Sequence, residues 1–216
     1  MKFRNILCLA GWAMLAQLGQ AASLKVTVLD ADGVGVEDAV VSVTPASGNA
    51  QNVAASAPLI IKQEKNQFVP KVTLATPGSK LRFLNSDPWD HHIHASTGNQ
   101  FGVDYVTLFQ ARQNAAVEGK GSIPYDVTVD KAGVVLLGCH LHSSMTGYVY
   151  VAASPWTIKT GADGVAVLDD LPPGEAKLTL WQANEIRTIP VMNVTLNQRQ
   201  TVINHQLSVR VRKRKA

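Results

Sequence analysis

Cys139, His142 and Met145 stand at the spacing Cys-x-x-His-x-x-Met and bring a thiolate, an imidazole and a thioether into one short loop. These are the donors a soft copper site uses. About 50 residues upstream, Asp90-His91-His92-Ile93-His94 offers a second imidazole from any of three histidines. One Cys, two His and a weak axial Met make a blue-copper electron-transfer site. His140 competes with His142 for the downstream place, but a ligand bonded directly to Cys139 would need a contorted chain, so His140 is expected beside the site or in solvent. The plainer alternatives are a buried inert thiol at Cys139, a core Met145 and half-exposed strand histidines at His92 and His94.

The chain's start bears on the state of that thiol. Lys2 and Arg4 precede an apolar run from Ile6 to Leu18, then small residues at Gly19, Ala21 and Ala22 before Ser23. This pattern predicts a secretory signal peptide over residues 1–22, too short and wrongly flanked for a stable span. Cys8 would leave with it, so the exported chain keeps one cysteine. A lone exported cysteine has no internal disulfide partner; it is buried and inert, paired between chains, or occupied by a ligand. With two histidines and a methionine nearby, a metal answers that problem best. The expected compartment is the periplasm.

Loss of Lys2 and Arg4 takes the formal net charge from +4 to about +2, and five of the remaining positive residues crowd the basic tail 210–216. The folded body is therefore slightly acidic. Together with export, this argues against a nucleic-acid partner and for a solvated tail.

The elements that must position the donors are strands. Period-2 and β-branched segments punctuated by Gly, Pro and Asp-Gly predict an all-β protein. Expected strands are Leu24–Leu29, Ala39–Val43, Lys71–Leu74, Lys80–Leu84, His91–Ala95, Tyr125–Val129, Gly133–Leu137, Gly147–Ala152, Val165–Asp169, Glu175–Gln182 and Gln200–Val209. Residues Thr107 to Gly121 lack strand alternation around Leu108-Phe109-Gln110-Ala111-Arg112-Gln113 and are expected as a short helix or a long loop. Cys139 ends an apolar strand and would carry its sulfur to the top of a dry sandwich, with His142 and Met145 on the tight loop that follows.

Phe83-Leu84-Asn85-Ser86-Asp87-Pro88-Trp89-Asp90-His91-His92-Ile93-His94 and Gly138-Cys139-His140-Leu141-His142-Ser143-Ser144-Met145-Thr146-Gly147-Tyr148-Val149 resemble the cupredoxin family, in particular its plastocyanin and amicyanin type. The resemblance implies a Greek-key β-sandwich with one type 1 copper (Cu+/Cu2+) held by His91, Cys139, His142 and Met145. It singles out His91 because Asn85 stands six residues before it, where the family has an Asn. It implies that Asn85 ties the His91 strand to the Cys139 loop by a side-chain hydrogen bond. His92 stands where the family usually has Asn, so a backbone N–H is left to serve the thiolate. Asp87-Pro88, His91-His92, Leu137-Gly138-Cys139 and Leu171-Pro172-Pro173-Gly174 also resemble exported methylamine-utilisation or plastocyanin-like proteins, from which the chain departs between Thr97 and Gly121.

Leu24 to Gly33 with Val36 to Val43, and Thr160 to Leu168 with Leu171 to Leu180, resemble strands of a carboxypeptidase-regulatory or transthyretin-like sandwich. Their shared cues are Asp-Gly at hairpins and Pro-Pro-Gly before a strand. The expected organisation is a cupredoxin domain over 59–153, flanked by the two parts, 23–58 and 154–209, of a second small β-sandwich; the alternative is one extended sandwich with extra edge strands.

The expected function is an exported one-electron carrier that exchanges electrons with a redox partner protein the sequence does not identify, with no membrane span in the mature chain and a monomeric state. The alternatives are a periplasmic copper-binding, sensing or delivery protein that also uses His92, His94 and His140, and a non-redox β-sandwich binding module. An enzyme is not expected: no general base, nucleophile or substrate pocket is evident, and His205 is the only other histidine.

Overall fold

The computed structural model describes residues 21–47, 57–97, 106–117, 121–185 and 187–211. The expected leader therefore lies almost wholly outside the described residues, as do 98–105, 118–120 and the tail from 212 onward. Among the described residues, no helix is long and apolar enough to cross a membrane.

The regular elements are strands: β1 (Ala22–Leu29), β2 (Val40–Pro45), β3 (Leu59–Glu64), β4 (Gln67–Val69), β5 (Val72–Ala75), β6 (Ser79–Asn85), β7 (His91–Thr97) and β8 (Val106–Gln113). They continue as β9 (Tyr125–Val129), β10 (Gly133–Cys139), β11 (Thr146–Val151), β12 (Thr157–Lys159), β13 (Val165–Leu171), β14 (Gly174–Trp181), β15 (Met192–Leu196) and β16 (Thr201–Gln206). The protein is an all-β sandwich protein, as its sequence predicts. Side-chain alternation is plain in β1, where Ala22, Leu24, Val26 and Val28 are buried and the residues between them are not. That period of two is the geometry of the pleat.

Four sheets form two apolar cores. Sheet β13-β1-β16 faces sheet β12-β2-β14-β15 around Leu24, Val26, Val41, Leu171, Leu178 and Leu196. Sheet β5-β11-β10-β7-β8 faces sheet β4-β3-β6-β9 around Ile61, Phe68, Leu81, Phe83, Ile93, Leu137 and Val149. Each fully buried large apolar side chain stabilises the fold by about 1.5–3 kcal/mol, so either core alone outweighs the polar contacts that join them. Among the described residues, the contacts between the cores include one that is polar and two between rings. Lys159 Nζ donates to Asp38 Oδ1 at 2.6 Å and to the Val72 carbonyl at 2.8 Å. The Trp181 ring lies 5.4 Å from Tyr148 and 5.7 Å from Tyr150.

The segment expected as a helix or loop is corrected: Val106–Gln113 is a strand, the edge of the five-stranded sheet, antiparallel to β7. Its hydrophobic alternation is missing because it is an edge, and because one of its inward positions is polar. Gln113 is buried and donates Nε2–H to the Phe83 carbonyl at 3.2 Å and the Ile123 carbonyl at 3.0 Å, and its Oε1 accepts from Gln63. A buried amide with its partners in place costs little, and its polarity hides the strand in the sequence.

Candidate metal centre

Register decides which side chains meet. In the antiparallel pairing of β7 and β10, Cys139 stands opposite Ile93 and Gly138 opposite His94. Alternation then turns His91, Ile93 and Ala95 inward with Val135, Leu137 and Cys139. The ladder continues one step past the strand, the His140 amide donating to the His92 carbonyl at 2.9 Å. His92, His94 and His140 are thereby left on the outer face.

On the inner side three donor atoms converge. Cys139 Sγ lies 3.6 Å from His91 Nδ1 and 3.6 Å from His142 Nδ1, and the two nitrogens are 3.2 Å apart. His91 is wholly buried, Cys139 nearly so, and His142 half-buried at the rim. Met145 is 1 % exposed and shares the core around Cys139; its amide donates to the His142 carbonyl at 2.9 Å, closing the loop.

These spacings suit a metal. Ligand bonds of about 2.0–2.1 Å to nitrogen and 2.3 Å to sulfur would let a single ion reach all three observed atoms, so His91, Cys139 and His142 could hold one together. Two imidazole nitrogens facing each other at 3.2 Å also repel unless a proton or a cation lies between them. A thiolate and two imidazoles with a methionine beside them are the donors that select copper. When bound, copper would supply a one-electron couple.

Sequence reasoning missed the residue that orients His91. Asp87 is buried, and its Oδ2 accepts from His91 Nε2–H at 2.8 Å. The same carboxylate accepts the Lys65 amide at 2.5 Å and the Asn66 amide at 3.1 Å. A proton fixed on Nε2 leaves the Nδ1 lone pair free for the site, a carboxylate–histidine arrangement typical of metal ligands. Asp87 lies four residues before His91 within Asn85-Ser86-Asp87-Pro88; the signal was present, but it reads equally well as a turn.

Asn85 takes a different part from the one the resemblance implies. Its Nδ2 donates to the Trp89 carbonyl at 2.7 Å and the Asn114 carbonyl at 2.9 Å, and its Oδ1 accepts the Asp87 amide at 2.9 Å. It braces the Asp87–Trp89 turn against the segment that follows β8 instead of reaching the Cys139 loop. Asp90 adds a second brace: Arg112 at 3.0 Å and the Ala115 amide at 2.9 Å hold its carboxyl below the usual carboxylate range.

The thiol receives one hydrogen bond as expected, from the His92 amide at 3.4 Å. Leu141 is 51 % exposed on the loop that carries His142, among exposed His140, Ser143 and Ser144, and Trp89, on the turn before His91, is 40 % exposed. On the outer face His140 is exposed and His92 and His94 are half-buried, with His94 pushed below its ordinary pKa by burial and then by His140 and His92.

The chain is similar to solved cupredoxin structures, the family that the residues around Asn85 and Cys139 resemble. A reduced amicyanin variant matches at 18% identity, covering 51% of this chain and 98% of its own, with a TM-score of 0.36. A purple cupredoxin from Nitrosopumilus maritimus matches at 19% identity, covering 44% of this chain and 99% of its own, with a TM-score of 0.37. A copper-containing nitrite reductase from Thermus scotoductus matches at 23% identity over 50% of this chain and 25% of its own, with a TM-score of 0.34. No protein-family profile and no curated protein sequence matches the chain.

Proposed function

We propose that this protein is an exported type 1 copper protein of the cupredoxin family, acting as a one-electron carrier. The observation that carries the reading is the convergence of His91 Nδ1, Cys139 Sγ and His142 Nδ1 at the end of a dry β-sandwich, with Met145 in the same core. In this reading His91, Cys139, His142 and Met145 hold the copper.

The chain's own groups do the remaining work. Asp87 keeps the His91 proton on Nε2, and Asn85 holds the turn that carries Asp87. The His92 amide hydrogen-bonds the sulfur, which moderates its charge. Packing around Ile93, Leu137 and Val149 excludes water and fixes the ligands, so that little rearrangement accompanies a change of charge. His142, half-buried between exposed Leu141 and Ser143, is the edge through which an electron reaches a redox partner docked over this loop. Such work needs neither substrate pocket nor general base.

We place the mature protein in the periplasm on the strength of its signal-like N-terminus. Residues 59–153 would then be the copper domain, and 23–58 with 154–209 a second sandwich packed behind it, every strand of whose two sheets comes from the flanking segments. A spectroelectrochemical titration tests the carrier reading. The expected result is one reversible one-electron step with copper retained through repeated cycles. Loss of copper on reduction would favour delivery over electron transfer, and absence of any redox step would leave a binding module.

A further inference from the structure

We propose a second metal site, for a divalent transition cation such as Zn2+ or Cu2+, formed by His92, His94 and His140 on the outer face of the sheet that carries the inner donors. The inner reading assigns these three imidazoles no role, and they are three of the chain's six histidines.

Strand register assembles them. Cys139 opposite Ile93 puts His140 across from His92 and diagonal to His94, on the face away from the thiol. The His140 ring centroid lies 4.9 Å from that of His92 and 4.3 Å from that of His94. Tetrahedral ligation with metal–nitrogen bonds of about 2.0–2.1 Å sets imidazole centroids about 5 Å apart, near both separations from His140, and ion binding requires the rings to turn their nitrogens toward one point.

Two further observations point to a ligand. His94 Nδ1 is buried and has no hydrogen-bond partner, an arrangement that costs free energy unless something fills it. Gly138, opposite His94, leaves the space that the ring occupies: a Cβ there would stand 2.4 Å from His94 Cε1 and 2.6 Å from Nε2. Glycine at this point thus lets an imidazole lie on the backbone between the two histidine-bearing strands. The neighbouring strand β8 presents Gln110 opposite His94 and Arg112 opposite His92, and Arg112 is drawn off by Asp90. With exposed His140 on one side, the site is open to solvent and has room for water as a further ligand.

The two sites are tied by chain connectivity, His140 being bonded to Cys139 and His92 to His91. A cation on the outer face therefore lies behind the inner donors and favours the reduced form of a redox metal bound there.

Zn2+ alone serves as the probe, since it takes both thiolate and imidazole and has no redox chemistry. Calorimetric titration with native mass spectrometry compares four proteins: the wild type, Cys139→Ser with His142→Ala, His94→Gln with His140→Ala, and all four changes together. Near-UV circular dichroism checks folding, and His140→Ala alone, altering an exposed residue, supplies an outer-face variant in which folding is not at stake. The expected uptake is two equivalents, one, one and none, with His140→Ala losing the second equivalent. A folded Cys139→Ser, His142→Ala protein that takes up no Zn2+ would overturn the outer site while leaving the inner one intact. Two equivalents retained by the outer-face variants would overturn it as well. Wild-type uptake of one equivalent, lost only in the outer-face variants, would support the outer site and count against the inner reading.

Discussion

Replacing Asp87 by asparagine separates the two jobs its carboxylate performs. Oδ2 accepts from His91 Nε2–H at 2.8 Å and from the Asn66 amide at 3.1 Å, while Oδ1 accepts the Lys65 amide at 2.5 Å. All of this lies in a side chain that is 3 % exposed. An asparagine has one acceptor oxygen, so its NH2 must face a donor in either orientation. Facing the Lys65 amide, it leaves that N–H unpaired, at about 1–3 kcal/mol of stability. Facing His91 instead, it draws the proton from Nε2 toward Nδ1 and removes the lone pair the metal needs. Loss of such an orienting partner lowers metal affinity about 10–100-fold, or about 1.4–2.7 kcal/mol. Urea unfolding of the metal-free protein reads the first cost, and competition with a chromophoric Cu(I) chelator reads the second. Asp87→Ala should exceed Asp87→Asn in both, because it strands all three donors. Asp90→Asn, which removes an exposed pairing with Arg112, should leave copper affinity unchanged. Copper affinity within twofold of wild type in Asp87→Asn, with the folded protein's stability also unchanged, would refute the reasoning.

Three further outcomes follow from contacts elsewhere. Gln113→Ala removes the amide that serves the Phe83 and Ile123 carbonyls and Gln63; it should lower stability by about 1–3 kcal/mol in urea titration and loosen β8. Trp181→Ala removes two ring contacts between the cores, each worth about 0.5–1.5 kcal/mol. It should split thermal unfolding into two calorimetric transitions while leaving the copper spectrum unaltered. Burial acts to raise the Glu185 carboxyl, but the Ser208 hydroxyl and amide and the Arg187 amide together hold it below its ordinary 4.5. Its stabilising contribution is therefore full above about pH 4.5 and is lost as pH falls through the lower folded value. Urea midpoints measured down to pH 3 should show a shallower acid decline for Glu185→Gln.

Much of the inner site is legible because one rule governs it. A strand that buries Val135 and Leu137 must bury Cys139, and one that buries Ile93 must bury His91; the same parity sends His92 and His94 outward. Strands with this alternation are found near their expected places, β1 starting two residues early at Ala22. Where polar groups are buried, parity of hydrophobicity says nothing. Gln63 donates to Gln113 inside the sandwich, and Gln113 in turn serves two carbonyls, so β8 carries no apolar signature, and β3 ends on polar residues for the same reason. Asp87 and Asn85 share a sequence that is good turn chemistry, and only the folded register shows that the turn also delivers a carboxylate to His91. Proximity of His140 to His94 depends on the pairing of β7 with β10, a contact that no local pattern encodes.

The most direct test of the central claim is the visible spectrum of the purified mature protein with one equivalent of Cu(II), recorded beside Cys139→Ser. An intense thiolate-to-copper charge-transfer band that vanishes in the variant is the predicted result. A weak band, or one unchanged by the substitution, would contradict a copper–thiolate centre at Cys139.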